Sequence, residues 1–243
     1  MPSWAMLLFI ASFLFSIAFI ANPAKQAALN AGMTPRGSRN IQIGIFTFYI
    51  LYLAYVSLLS LKGVFQTNTI PPKVMVLATL PLTIILFGFI GNNRLFKRLL
   101  QAITLESLIT IHVFRIVGAF FLLLFSYHVL PQKFALSAGL GDIITALLAL
   151  PVAKLVSKGS RWRIMAVYAW NIFGILDIVR ILFLATLSAR ATAATGVDGG
   201  LREMTMFPFV WFPAFAPATI LFLHTLVFRK LSQQKSPAKI LAA

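Results

Sequence analysis

The sequence predicts an all-α integral membrane protein, a seven-transmembrane-helix bundle with its N-terminus outside and its C-terminus cytoplasmic. Three observations predict it. The chain of 243 residues is 60% hydrophobic and only 11% charged, where a soluble domain is about 45–50% apolar and about 25% charged. Seven apolar runs approach or exceed the ~20 residues that cross a bilayer as a helix. The basic residues fall almost entirely between those runs, and they favour alternate segments.

The runs are 4–21, 41–61, 74–90, 105–129, 138–157, 164–188 and 205–228. The first has no Lys or Arg before it and is long for a signal-peptide core, so it reads as a retained span. Residues 23–32 are expected to form a short interfacial helix, ended by Gly32 and Pro35. The second run carries Tyr49, Tyr52 and Tyr55 at three-residue steps, a packing stripe. The third is the shortest and contains Pro81, and the fifth is interrupted by Pro151. The seventh carries Pro208, Pro213 and Pro217 and is expected to be kinked or partly unwound in its outer half. Trp4, Trp162 and Trp211 fall where interfacial aromatic belts lie. No run alternates with period 2, which argues against a β-barrel. One membrane domain accounts for 1–243, ending in a basic tail, 229–243.

Charge orients the bundle. Segments 22–40, 91–104, 154–163 and the tail hold fourteen Lys and Arg, and the alternate segments hold five. Positive residues concentrate on the cytoplasmic side, so the C-terminus is placed there. The net charge of +16 is therefore read as a topology signal, with anionic lipid as the expected partner of the basic loops and tail. Nucleic acid is not an expected partner.

Ionisable residues inside apolar runs are costly and mark function or fixed register. His112 and Arg115 share a face of the fourth span. Asn171, Gly174, Asp177 and Arg180 follow at three-residue steps along the sixth. Rising ~1.5 Å per residue, His112 and Asn171 share a depth of ~12 Å from the basic side. Arg115 lies slightly deeper, within reach of Asp177. Asp142 and Arg180 are expected to form a second pair near the outer side. The fifth span opens SAGLGD, so Asp142 also reads as a helix N-cap behind Gly139 and Gly141. The expected site is thus a polar core of the fourth to sixth spans: Asp177, Arg115, His112, Asn171, Asp142 and Arg180. Locked ion pairs that fix helix register are the competing account.

With no cysteine in the chain, disulfides and thiolate chemistry are excluded. No GxxxxGK[ST], HExxH or GxSxG pattern appears, so no catalytic motif supports an enzyme and no metal site is expected. A retinal protein needs a lysine in its last helix, and the seventh span has none before Lys230. His112 and His224 are the one pair able to ligate a haem between helices, although His224 and His128 read first as packing or interfacial histidines. No cofactor is assigned.

The strings HVFRIVGAFFLL, LPQKFALSAGLGD, WNIFGILDIV and MFPFVWFPAFAPATILFLHTL resemble a group of uncharacterised bacterial multi-pass inner-membrane proteins. The resemblance covers about 105–230 and implies a bacterial inner-membrane setting without an activity. The leading expectation is transport or permeation of a proton, ion or small polar solute through the polar core. A non-catalytic scaffold or sensor is the alternative, and a haem-binding redox protein the third.

Overall fold

A computed structural model describes residues 2–156, 161–196 and 199–234. Lys158, Asp198 and the last nine residues of the basic tail lie outside that description. The described residues are helical with no strand. The helices are α1 (Ser3–Asn30), α2 (Pro35–Leu61), α3 (Met75–Asn92), α4 (Arg94–Ala102), α5 (Leu105–Ser126), α6 (Gln132–Val156), α7 (Arg161–Thr195) and α8 (Trp211–Gln234). All but α4 are long and apolar enough to cross a membrane.

Local chemistry sets the helix ends. Thr34 Oγ1 accepts from Gly37 N at 3.1 Å, with Pro35 in the first turn of α2. Asn93 Oδ1 accepts from Leu95 N at 2.8 Å to start α4, and Thr104 Oγ1 accepts from Ser107 N at 3.0 Å to start α5. α1 ends where Gly32 adopts φ +79° and Met33 N reaches back to Ala28 O.

Several elements depart from the sequence expectations. Residues 23–30 are the last turns of α1, which runs through Pro23, so no separate interfacial helix forms there. The short amphipathic element is α4, whose Leu99 and Leu100 are buried while Arg94, Lys97 and Arg98 are exposed. α3 contains two π-helical stretches, Met75–Thr79 and Ile84–Phe89, around its proline turn. α6 begins at Gln132, six residues before the expected start, which puts Asp142 mid-helix and rules out its role as an N-cap. Trp211 is buried and donates Nε1–H to Ser57 Oγ at 2.9 Å, so it is a packing residue and not a belt residue.

The proline-rich end of the last span is irregular. A 3-10 turn at Arg202–Thr205 and a non-helical stretch precede α8, which starts only at Trp211. Pro217 lacks the N–H that would satisfy Pro213 O, and Thr79 Oγ1 donates to that carbonyl at 2.7 Å. Tyr52 donates to Ala214 O at 2.9 Å and Ser60 to Thr205 O at 3.0 Å. These side chains tie α2 and α3 to the broken end of α8.

The basic segments gather at one end of the bundle. Arg98 donates to Ala31 O at 2.5 Å, and Lys230 to Gln101 O at 2.7 Å. Both cations meet carbonyls at helix C-termini, where they are favoured. Residues 65–69 and 201–205 line one cavity at the opposite end.

Candidate functional site

The centre of α5 is not α-helical. His112–Gly118 form a 3-10 segment, which has three residues per turn, so side chains at i and i+3 eclipse. His112, Arg115 and Gly118 therefore lie in one line facing α6, α7 and α8.

Arg115 is the hub. Its Nε donates to Asp142 Oδ1 at 2.7 Å and its Nη2 to Asp177 Oδ2 at 2.6 Å. Its Nη1 donates to Gly174 O at 3.3 Å and faces His224 Nε2 at 3.2 Å. The guanidinium is fully shielded, and both carboxylates are nearly so. Charge-assisted bonds of this kind are the stronger class. One cation thus holds two carboxylates.

Asn171 clasps His224. Its Nδ2 donates to the His224 carbonyl at 3.1 Å, and its Oδ1 lies 2.8 Å from His224 Nδ1. A carboxamide oxygen only accepts, so Nδ1 carries the proton. Nε2 is then the acceptor that meets the donor-only guanidinium. Further toward the basic end, the His112 ring lies with its centroid 4.0 Å from that of His224 and edge-on to Trp170 at 5.1 Å. His112 is buried, and neither of its ring nitrogens has a hydrogen-bond partner.

Three glycines make this packing possible. A Cβ on Gly118 would collide with Asp142, one on Gly141 with Asp177, and one on Gly174 with the His224 ring. Each glycine comes from a different helix, and each lets a neighbouring polar side chain lie against bare backbone.

Of the expected residues, Asp177, Arg115, His112, Asn171 and Asp142 come together, and His224 joins them. Arg180 does not pair with Asp142. It donates Nε–H to Ser137 Oγ at 2.6 Å, one helical turn from the cluster, because Asp142 turns inward to Arg115. His128 stays exposed at the far end of the fourth span. Gly118 was not among the expected residues, although its three-residue spacing from Arg115 was the available signal.

Two openings approach the carboxylates from the end opposite the basic segments. A groove of about 470 Å³ on the outer face of α6 and α7 runs past Lys133, Ser137, Arg180 and Asp177 between exposed apolar side chains, Leu140, Ile144, Phe173 and Leu176. The second opening is a cavity of about 390 Å³ lined by Thr67, Thr69, Ser188, Thr192, Arg202 and Thr205. Met75, Ala185, Leu201, Met204 and Pro213 separate it from a cavity of about 70 Å³ that reaches Asp142 and is otherwise lined by apolar side chains such as Phe121, Ile178 and Phe212. The last space, about 20 Å³, lies between Asp142, Arg115 and Gly118.

Fold and site together define a class: a helical protein with, among the described residues, seven helices fit to span a membrane, closed around a buried arginine–dicarboxylate core. Residues 71–232 match the model of a domain of unknown function, DUF8737, and the chain belongs to that family. The matched region contains every residue of the core. No curated protein and no solved structure matches the chain.

Proposed function

We propose that this protein moves a proton, a cation or a small polar solute across a membrane through the core of α5, α6 and α7. Asp177 is the coordinating carboxylate, Arg115 its counter-ion, and Asp142, Asn171 and His112 line the same path. The observation that carries this reading is charge: one buried arginine is bonded to two carboxylates, while the next cation, Arg180, bonds Ser137 one turn beyond Asp177. An uncompensated charge in a low-dielectric site costs several kcal/mol, and a bound proton or monovalent cation removes it. The hydroxyl-lined cavity, with the apolar cavity beyond it at Asp142, and the groove past Asp177 supply approach routes. His224, accepting from Arg115 and held by Asn171, continues the polar chain toward the basic end.

The charge distribution supports an outside N-terminus and a cytoplasmic basic end. The resemblance to bacterial multi-pass proteins supports an inner-membrane setting. The test is flux into proteoliposomes carrying a pH-sensitive dye under an imposed potassium potential. Wild type is expected to exceed empty vesicles, and Asp177→Asn to match them while inserting normally. Equal flux in the two proteins removes Asp177 from the path.

A scaffold or sensor is the second reading, favoured by the four internal contacts of Arg115. It requires no flux from wild type, and binding of anionic lipid or a partner through the basic segments. The haem reading has less support. The imidazoles of His112 and His224 are in ring contact at 4.0 Å, leaving no thickness for a macrocycle between them. An absorption spectrum with a Soret band lost in His112→Ala would reinstate it.

A further inference from the structure

A separate cavity, of about 500 Å³, lies at the basic end and includes neither Arg115 nor its carboxylates. Gly44 and Phe48 of α2, Leu86 and Phe89 of α3, Leu99 of α4 and Phe222 of α8 are among its walls. Its size is within the range of small-molecule sites, about 300–1,000 Å³. Its interior offers almost no hydrogen bonding. Asn93 is committed to capping α4, and the Tyr49 hydroxyl lies 3.4 Å from Thr219 Oγ1. Such a space takes hydrocarbon.

The cavity opens between α2 and α3. A Cβ at Gly44 would meet nothing within 4 Å, and Phe89 is 69% exposed on the outer surface of the bundle. Cations flank the end nearest the basic segments. Arg36 precedes the lining residue Asn40 by one turn on the same face of α2. Arg94 adjoins the lining residues Asn93 and Leu95, and both arginines are exposed. α4 lies beside this opening as an amphipathic helix, with Leu95, Phe96, Leu99 and Leu100 toward the cavity, Lys97 and Arg98 on its far side, and Arg94 at its first residue next to the rim. Hydrocarbon inside and cations at the rim are complementary to one class of amphiphile.

We propose that this cavity binds an acyl chain of an anionic phospholipid, with the headgroup phosphate held by Arg36 and Arg94. The site is independent of the polar core and of what that core moves. A filled cavity wedges α2 and α3 apart at the basic end while Tyr55 Oη–H, bonded to Leu77 O at 3.0 Å, holds them together toward the opposite end.

Native mass spectrometry of the detergent-solubilised protein, incubated with equal amounts of phosphatidylglycerol and phosphatidylcholine, tests the assignment. Wild type is expected to retain phosphatidylglycerol in excess. Gly44→Trp fills the cavity and is expected to lose retention of both lipids. Arg36→Gln and Arg94→Gln should each reduce the preference about fivefold, the attraction of one basic residue near a headgroup. Gly44→Leu, a smaller filling, is the reserve if the tryptophan variant fails to fold. Undiminished retention in the folded filling variant overturns the site, and equal retention of the two lipids by wild type overturns the headgroup contact.

Discussion

The α-carbon of Gly141 lies against the carboxylate of Asp177, so closely that a Cβ at 141 would overlap Oδ1. α6 and α7 meet here through bare backbone on one side and a charged group on the other. The contact lets Asp177 point sideways into Arg115 instead of outward along the groove.

Gly141→Ala should therefore displace Asp177 and weaken its bond to Arg115. Overpacking of a close contact costs about 1–3 kcal/mol, so the variant should melt several degrees below wild type in detergent. Gly44→Ala, where a Cβ meets nothing, is the matched control and should melt with wild type. Equal melting of Gly141→Ala and Gly44→Ala would mean that α6 and α7 do not approach this closely.

Arg115 makes the sharper case. Replacing it with Gln leaves Asp142 and Asp177 facing each other without a cation. Removing one partner of a buried pair costs about 3–5 kcal/mol. Arg115→Gln should lower the yield of monodisperse protein by size-exclusion chromatography, and adding Asp142→Asn with Asp177→Asn should restore much of it. A single variant as stable as wild type would show that the guanidinium does not hold the carboxylates.

How much of this was legible beforehand depends on range. Length and hydropathy located the seven helices that, among the described residues, are long and apolar enough to cross a membrane, because such a helix is a local property of ~20 residues. The three-residue steps of His112–Arg115 and Asn171–Asp177 located the core, because intrahelical spacing is local too. The partner of Asp142 was not legible. The apolar run at 138 places Asp142 at the outer start of its span, whereas α6 starts at Gln132, after Pro131. The 3-10 segment at 112–118 changed which side chains eclipse, and nothing in its apolar sequence announces that tightening. His224 looked shallow on α8, yet it is fully buried because Gly174 lets its ring approach α7.

Thr79 bears on the proline-broken end of α8. Its hydroxyl donates to Pro213 O, the carbonyl that Pro217 leaves without a helical donor. Thr79→Val should cost about 1 kcal/mol, the net worth of such a bond. Pro217→Ala restores the backbone N–H, so Thr79→Val should cost measurably less in that background. A thermal-melting double-mutant cycle reads the difference. Strict additivity would show that the hydroxyl and the proline act independently.

The protonation of His224 offers the most direct view of the core. Asn171 Oδ1 accepts at Nδ1, and Nε2 receives the Arg115 guanidinium. The neutral Nδ1–H tautomer is therefore enforced from both sides, the reverse of the form that a solvated histidine side chain favours. In ¹⁵N-histidine spectra of the protein in detergent, one residue should show a protonated Nδ1 and an unprotonated Nε2, and that signal should vanish in His224→Gln. Asn171→Leu removes the acceptor at Nδ1 while leaving Arg115 in place. The remaining constraint still forbids a proton on Nε2, so the tautomer should persist, with Nδ1–H shifted by loss of its partner. Adding Arg115→Gln with Asp142→Asn and Asp177→Asn to Asn171→Leu removes the other constraint and should allow the Nε2–H form to appear. A cationic His224 in wild type at neutral pH would contradict this arrangement, since a second N–H would then point at the guanidinium.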